Sequence, residues 1–249
     1  MGETTLVEYV PLLLEGLRIT LLLTLLGAIL MFVVAFVLGL ASRSDRTWLR
    51  GIARTIIELF RGTSLFVQLF WLFLALPQLG VRLSPLLCGV LALGLNYGAY
   101  GAEVVRGSLN AVPGAQREAA IALNLSAWHR MRRVIWPQAV VLMLPAFNNL
   151  LIQLLKGTPL VIAISLVDVF AVGVAFRNAG GDAVLMFLVV LPAVYLLLAY
   201  AMTFGMTLLE VTAKARLGEG RGLRDAIRNL RPGADPEGMH VPAGAGGVR

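Results

Sequence analysis

The chain has 249 residues, 58% of them hydrophobic and 14% charged, with a mean hydropathy of +0.82 and a formal net charge of +7. An ordinary soluble domain carries about a quarter charged residues, so this balance excludes one and requires lipid. One cysteine, Cys88, and two histidines far apart in sequence, His129 and His240, exclude a disulfide framework and a Cys/His metal site.

The apolar residues fall into long uncharged runs at 19–42, 64–81, 83–102, 134–155 and 183–209. Each is close to the roughly 20 residues that a helix needs to cross the hydrocarbon core. The first run follows eighteen residues carrying Glu3, Glu8 and Glu15 and is too long for a signal h-region, so it reads as a retained anchor, span one, over 17–42. An arginine-rich turn at Ser42–Asp45 leads to span two, over 55–77, which closes at Pro77. A tight turn from Leu79 to Pro85 precedes span three at 85–106, and a polar stretch over 107–133 separates it from span four, which starts near Pro137 and ends near Lys156. Residues 158–174 are apolar but interrupted by Asp168, which predicts a short helix at or dipping into the outer surface. Span five covers 183–209. The expected fold is an all-α membrane protein with five transmembrane helices, a transmembrane domain over 1–213 with a cytoplasmic loop at 107–137, and a disordered cytoplasmic tail over 214–249, rich in Gly, Pro and Arg.

With five spans, one side of the membrane holds only Arg18, Arg82 and Arg177. The other holds Arg43, Arg46, Arg50 and Arg54, then Arg106, Arg117, Arg130, Arg132 and Arg133, then the seven basic residues from Lys214 onward. The positive-inside bias therefore predicts an N-terminus outside and a C-terminus in the cytoplasm. The same distribution removes the case for nucleic acid as a partner, because the positive charge is spent on topology.

Polar residues recur at helical spacing inside three spans: Arg61, Ser64 and Gln68; Asn96, Tyr100 and Glu103; Asn149, Gln153 and Lys156. Each set lies on one helical face. Gln68, Asn96 and Asn149 fall near mid-membrane depth, where amides either line a solute pathway or hydrogen-bond between helices. Glu103 and Arg106 read as a structural ion pair, and Cys88 as packing. Arg61–Leu65 is echoed by Lys156–Leu160, which marks two basic sites.

The cytoplasmic stretch reads as a short helix from about Glu118, a break at Asn124 and a second helix that Ser126 can N-cap, with Arg130, Arg132 and Arg133 near its end. A stiff helix-turn-helix between two spans can pass a partner's movement to the spans. Glu118-Ala119-Ala120 followed by Ile135-Trp136-Pro137-Gln138-Ala139 resembles the loop E-A-A-x-x-x-G and I-x-L-P-Q-A of permease subunits of type I ABC importers, in the branch that takes up polar amino acids. Asn124 stands at the family's glycine and Trp136 at its leucine. Glu58 through Gln68 looks like the branch's E-x-x-R-G-T-P-x-x-x-Q with Ser64 at the proline. Asn96 through Gly107 and Lys156 through Leu160 match its third-span pattern and its K-x-T-x-L. Within the branch, Ala122–Asn124 with Arg130–Arg133, and Arg61–Ser64 leading into Gln68–Trp71, look most like subunits of ectoine and hydroxyectoine importers.

The resemblance implies the type I permease fold, a place in the bacterial inner membrane and ATPase-coupling residues Glu118, Ala119, Ala120, Leu123, Asn124 and Ser126. It also implies an ABC ATP-binding subunit, an external solute-binding protein and a second permease chain, identical or homologous. No cofactor is expected on this chain. A P-loop needs a lysine in G-x-x-x-x-G-K-[ST], and the only lysines are Lys156 and Lys214, outside any such motif, so ATP binds on the partner. A secondary transporter or channel working without an ATPase is the alternative, but it predicts more spans and paired repeats. An intramembrane enzyme would need a nucleophile with its base or a metal cluster, and no such constellation stands out.

Overall fold

The computed structural model describes residues 6–179 and 182–216, and every regular element within them is helical. α1 (Leu6–Ala41) is followed by α2 (Thr47–Gly62) and α3 (Leu65–Phe70), which continues through a wide turn at Trp71–Ala75 to Leu79. α4 (Pro85–Ala111), α5 (Gly114–Ala122), α6 (Ala127–Arg130), α7 (Trp136–Gly157), α8 (Val169–Ala179) and α9 (Asp182–Arg216) complete the order. Four segments, Val10–Ala41, Pro85–Ala111, Ala127–Ile164 and Leu188–Ala215, are long and apolar enough to cross a membrane. α2 with α3 makes a fifth when taken as one broken span.

The core sits where α1, α4 and α7 meet. α4 offers a small-residue face, Gly94, Gly98 and Gly101, on which Leu30, Val34 and Ala35 of α1 lie. A Cβ added at Gly98 would stand 2.7 Å from Val34 Cβ. Small residues let backbones approach where lipid supplies no hydrophobic drive between helices. Met31, Ala35, Leu93, Val105, Phe147 and Leu154 fill the space behind this contact. Phe147 of α7 packs on Phe32 at 4.9 Å between ring centroids, and Phe36 joins it to Trp136. The opposite face of α1, with Leu21, Leu25, Ile29, Val33 and Val37 at every fourth position, is exposed and suits lipid. Cys88 is buried in the core, as its apolar surroundings predict.

Span two departs from the straight helix expected over 55–77. It breaks at Thr63–Ser64 and bends by 101°. Span four departs the other way. No separate second cytoplasmic helix ends near Arg133, because helix runs unbroken from Ala127 to Gly157. A proline inside a helix removes one hydrogen bond and clashes with the carbonyl four residues back, and a widened turn relieves both. Met131–Ile135 is such a turn, lying just before Pro137, and Gln138 Nε2 donates to the Val134 carbonyl at 3.0 Å.

The apolar stretch after α7 is a 3₁₀ segment, Thr158–Ile164, then a turn with Ser165 at φ 60°, then α8. Asp168, 0% exposed, starts α8: its Oδ1 accepts the Ala171 N–H at 2.9 Å and its Oδ2 accepts the Tyr195 hydroxyl at 3.3 Å. Thr20 Oγ1 of α1 accepts the Val169 N–H at 3.2 Å, so one polar cluster joins α1, α8 and α9. Burial pushes the Asp168 carboxyl above the usual carboxylate range, against the pull of the Ala171 and Phe170 N–H groups and the Tyr195 hydroxyl. α9 continues through Lys214, whose Nζ bonds Glu210 Oε1 at 2.5 Å, so helix runs into what the composition assigns to the tail. The remainder of that tail, 217–249, lies outside the described residues.

Candidate functional site: a polar membrane face and a rigid loop

At the break in span two the four C-terminal carbonyls of α2 lose their helical partners. A carbonyl left unpaired away from water costs several kcal/mol, roughly. Side chains supply partners for three of them. Thr63 Oγ1 donates to the Leu59 carbonyl at 2.8 Å. Gln68 Nε2 and Asn96 Nδ2 both donate to the Phe60 carbonyl, at 2.8 and 3.0 Å, and Gln68 also reaches Thr63 Oγ1 at 2.7 Å. Tyr100 Oη donates to the Arg61 carbonyl at 3.4 Å, and the Arg61 guanidinium lies 5.3 Å from the Tyr100 ring centroid. The structure thus brings Arg61, Gln68, Asn96 and Tyr100 to one place, with Ser64 opening α3. Asn96 is buried and Gln68 half-buried, whereas Arg61, Ser64 and Tyr100 are exposed.

Beside the break, Arg54, Ile57, Glu58 and Arg61 of α2 face Glu103 and Arg106 of α4 across a recess of about 350 Å³. Glu103 and Arg106 form the expected ion pair, 2.6 Å apart. Asn149, Gln153 and Lys156 run along one exposed stripe of α7, while Leu150, Leu151, Leu154 and Leu155 between them are buried. Lys156, the second basic site, ends that stripe beside the segment of the first: a Cβ on Gly157 would lie 3.4 Å from Leu65 Cδ2 and 3.1 Å from Tyr97 Oη. The echoed segments 61–65 and 156–160 therefore adjoin.

The loop is built as the turn chemistry predicts. Asn124 is left-handed at φ 57°, the Leu125 N–H bonds the Ala120 carbonyl at 3.1 Å and the Asn124 N–H bonds the Ile121 carbonyl at 2.8 Å, a Schellman end to α5. Ser126 caps the next helix, accepting the His129 N–H at 3.4 Å. Sequence alone sets Ala119 and Ala120 together as the close-approach pair, but only Ala119 is exposed. Ala120 is 2% exposed and α5 packs on Met131–Ile135. The outward surface is Glu118 and Ala119 with Ile121, Leu123 and Trp128, an apolar tip on which Leu123 is 75% exposed.

Two anchors that the sequence did not advertise tie the loop to the spans. Arg117 Nη2 donates to the Leu109 carbonyl at 2.6 Å, and Arg43 Nη1 donates to Asn110 Oδ1, so side-chain bonds join the end of α1, the end of α4 and α5. Burial, then the like charges of Arg117 and Arg106, lower the Arg43 pKa from its ordinary value.

Four long apolar helices, a broken fifth and a helical loop packed on Met131–Ile135 define a multi-pass membrane protein. Residues 31–211 match the family described as binding-protein-dependent transport system inner membrane component. The chain is 42% identical over 213 residues to the probable amino-acid ABC transporter permease protein y4tF of Sinorhizobium fredii, covering 83% of this chain and 89% of that one. It is 36% identical to the glutamine transport system permease protein GlnP of Escherichia coli, over 64% of this chain and 74% of the other. A crystal structure of an amino acid ABC transporter with histidines superposes with a TM-score of 0.75 at 30% identity, covering 84% of this chain and 98% of that one. An inward-facing MetNI methionine ABC transporter structure shares the fold, with a TM-score of 0.68 at 19% identity over 86% of this chain and 99% of that one. The chain belongs to this family, as a multi-pass inner-membrane permease subunit of an amino acid ABC importer in the polar amino acid branch. Such permeases are transport components rather than enzymes, and the family implies an ATP-binding subunit and a substrate-binding protein as partners.

Proposed function

We propose that the chain carries a polar amino acid, or a compatible solute such as ectoine or hydroxyectoine, along a path lined by Arg61, Ser64, Tyr100, Asn149, Gln153 and Lys156, closed by a second permease chain, identical or homologous. The observation that carries this reading is the exposed stripe of α7. Polar side chains turned to lipid are costly, yet Asn149, Gln153 and, in the last turn, Lys156 all lie exposed on a helix whose other faces are packed. Turned toward a water-filled path, the same residues bind carboxylate and ammonium groups. Replacing Lys156 or Gln153 with leucine is expected to lower solute uptake by about tenfold, the loss of one charged hydrogen bond, without reducing assembly with the ATP-binding subunit. Labelled glutamine, histidine and ectoine, offered with the cognate solute-binding protein, identify the substrate. Unchanged uptake in both variants returns the stripe to helix packing.

The loop from Glu118 to Ser126 is the grip for the ATP-binding subunit, through Glu118, Ala119, Leu123 and their neighbours Ile121 and Trp128. On this reading the loop is cytoplasmic and the N-terminus outside, which the basic residues at 43–54 and 106–133 support. A reporter active only outside the membrane is expected to be silent when fused after Leu209 and active near Leu79. The reverse pattern inverts the orientation.

A further inference from the structure

The break in span two carries more than a bend. Its freed carbonyls are not left to chance partners: Leu59 is served by Thr63, Phe60 by both Gln68 and Asn96, and Arg61 by Tyr100. Two of the four donors come from α4, a helix packed on α1, so the geometry of the break is dictated from outside the broken span. The surrounding acceptors take the Gln68 Nε2 hydrogens and leave Gln68 Oε1 buried with no partner. An amide that gives up its own acceptor to hold two others is committed to the backbone rather than to a solute. What this arrangement presents to the surface is Arg61, held at the end of α2 by its own carbonyl on Tyr100 and with its guanidinium over the same ring.

We propose that Gln68, Asn96 and Tyr100 are positioning residues for transport: they lock the α2–α3 bend so that Arg61 stands at the mouth of the recess between α2 and α4. This rests on the reading that Arg61 faces the solute path. It reassigns the two mid-membrane amides of spans two and three from contact with the solute to control of the residue that makes it. A straight span would carry Arg61, Ser64 and Gln68 on one face. The 101° break separates them, Arg61 staying with α2 and Gln68 folding back onto the α2 terminus.

Two readouts test the proposal in the complete complex in lipid vesicles. The first is a pulsed EPR distance between labels at Thr55→Cys and Leu74→Cys, both exposed positions on either side of the break. The locked bend gives a narrow distribution well under the about 28 Å of a straight helix of that length. Gln68→Leu and Asn96→Leu, which keep bulk and remove the donors, are expected to broaden or lengthen it, and Tyr100→Phe to do so least. The second is a double-mutant cycle on uptake. Gln68→Leu and Arg61→Gln are each expected to lower uptake about tenfold, and the double variant no further than the larger single loss, because both remove the same interaction. An unchanged distance in Gln68→Leu, or losses that multiply in the double variant, overturns the proposal. Tyr100→Phe removes one hydroxyl only, and so keeps the test informative where the leucine variants fail to assemble. If Arg61→Gln alone leaves uptake intact, the placing of Arg61 on the solute path fails, and with it the positioning role, while the label distances still report whether the amides lock the bend.

Discussion

Replacing Gly98 with leucine is expected to prise α1 from α4 and to leave a chain that inserts but unfolds at a lower temperature. A Cβ at this position stands 2.7 Å from Val34 Cβ and Cγ1 and 3.3 Å from the Met31 carbonyl oxygen. Val34 is β-branched and its χ1 is fixed by its own helix, so the neighbour cannot give way and the helices must part. Phe32 and Phe36 of α1 pack on Phe147 of α7, which also lies against Gly101 of α4, so a shift of α1 is expected to loosen these ring contacts too. Overpacking of this kind costs about 1–3 kcal/mol before the aromatic contacts are counted, which for a chain of this size lowers the unfolding midpoint by roughly 2–12 °C. Cys88 is the single cysteine and is 0% exposed, so the temperature at which it reacts with a thiol dye reports the separation directly. Gly107→Leu is the control on the same helix. A Cβ there meets nothing within 4 Å, and the midpoint is expected to stay where it is.

The parts of this molecule that were legible in its sequence are those whose cause is local. The number of spans follows from apolar length, and the turn at Asn124 and the cap at Ser126 follow from side chains that act on their own backbone. The break at Thr63 was not legible, because the apolar run continues across it and half of what stabilises it comes from Asn96 and Tyr100, more than thirty residues away in sequence. For the same reason Gln68 and Asn96 stayed open between a solute pathway and a contact between helices: depth was readable, their bonds to the Phe60 carbonyl were not. Pro137 looked like the start of span four, since proline favours the first turn of a helix. The widened turn before it lets the helix begin ten residues earlier, at Ala127. Asp168 could be seen as an interruption; its bond to the Ala171 N–H is a local cap on α8, but its partner Tyr195 is tertiary.

That unbroken helix makes Ala120 the position where the second large effect is expected. The ATP-binding subunit can move this chain only through what it grips, and the exposed tip at Glu118, Ile121 and Leu123 sits on α5, which packs directly on Met131–Ile135 at the root of span four. Ala120 is buried in the loop rather than at its outer surface. Phenylalanine there wedges α5 away from the span while leaving the tip intact, so docking and transmission separate: Ala120→Phe is expected to keep the ATP-binding subunit bound and lose coupling. Leu123→Asp puts a charge on the tip and is expected to weaken docking itself. The behaviour of the two variants differs only if force runs from the tip through α5 into span four.

The direct measurement compares purified complexes in vesicles for bound ATP-binding subunit, hydrolysis with and without solute-loaded binding protein, and uptake. For Ala120→Phe the prediction is wild-type amounts of bound subunit, hydrolysis that no longer responds to solute, and uptake lowered by about tenfold or more. Wild-type values for all three would contradict the claim that this loop transmits ATP-driven motion to the spans.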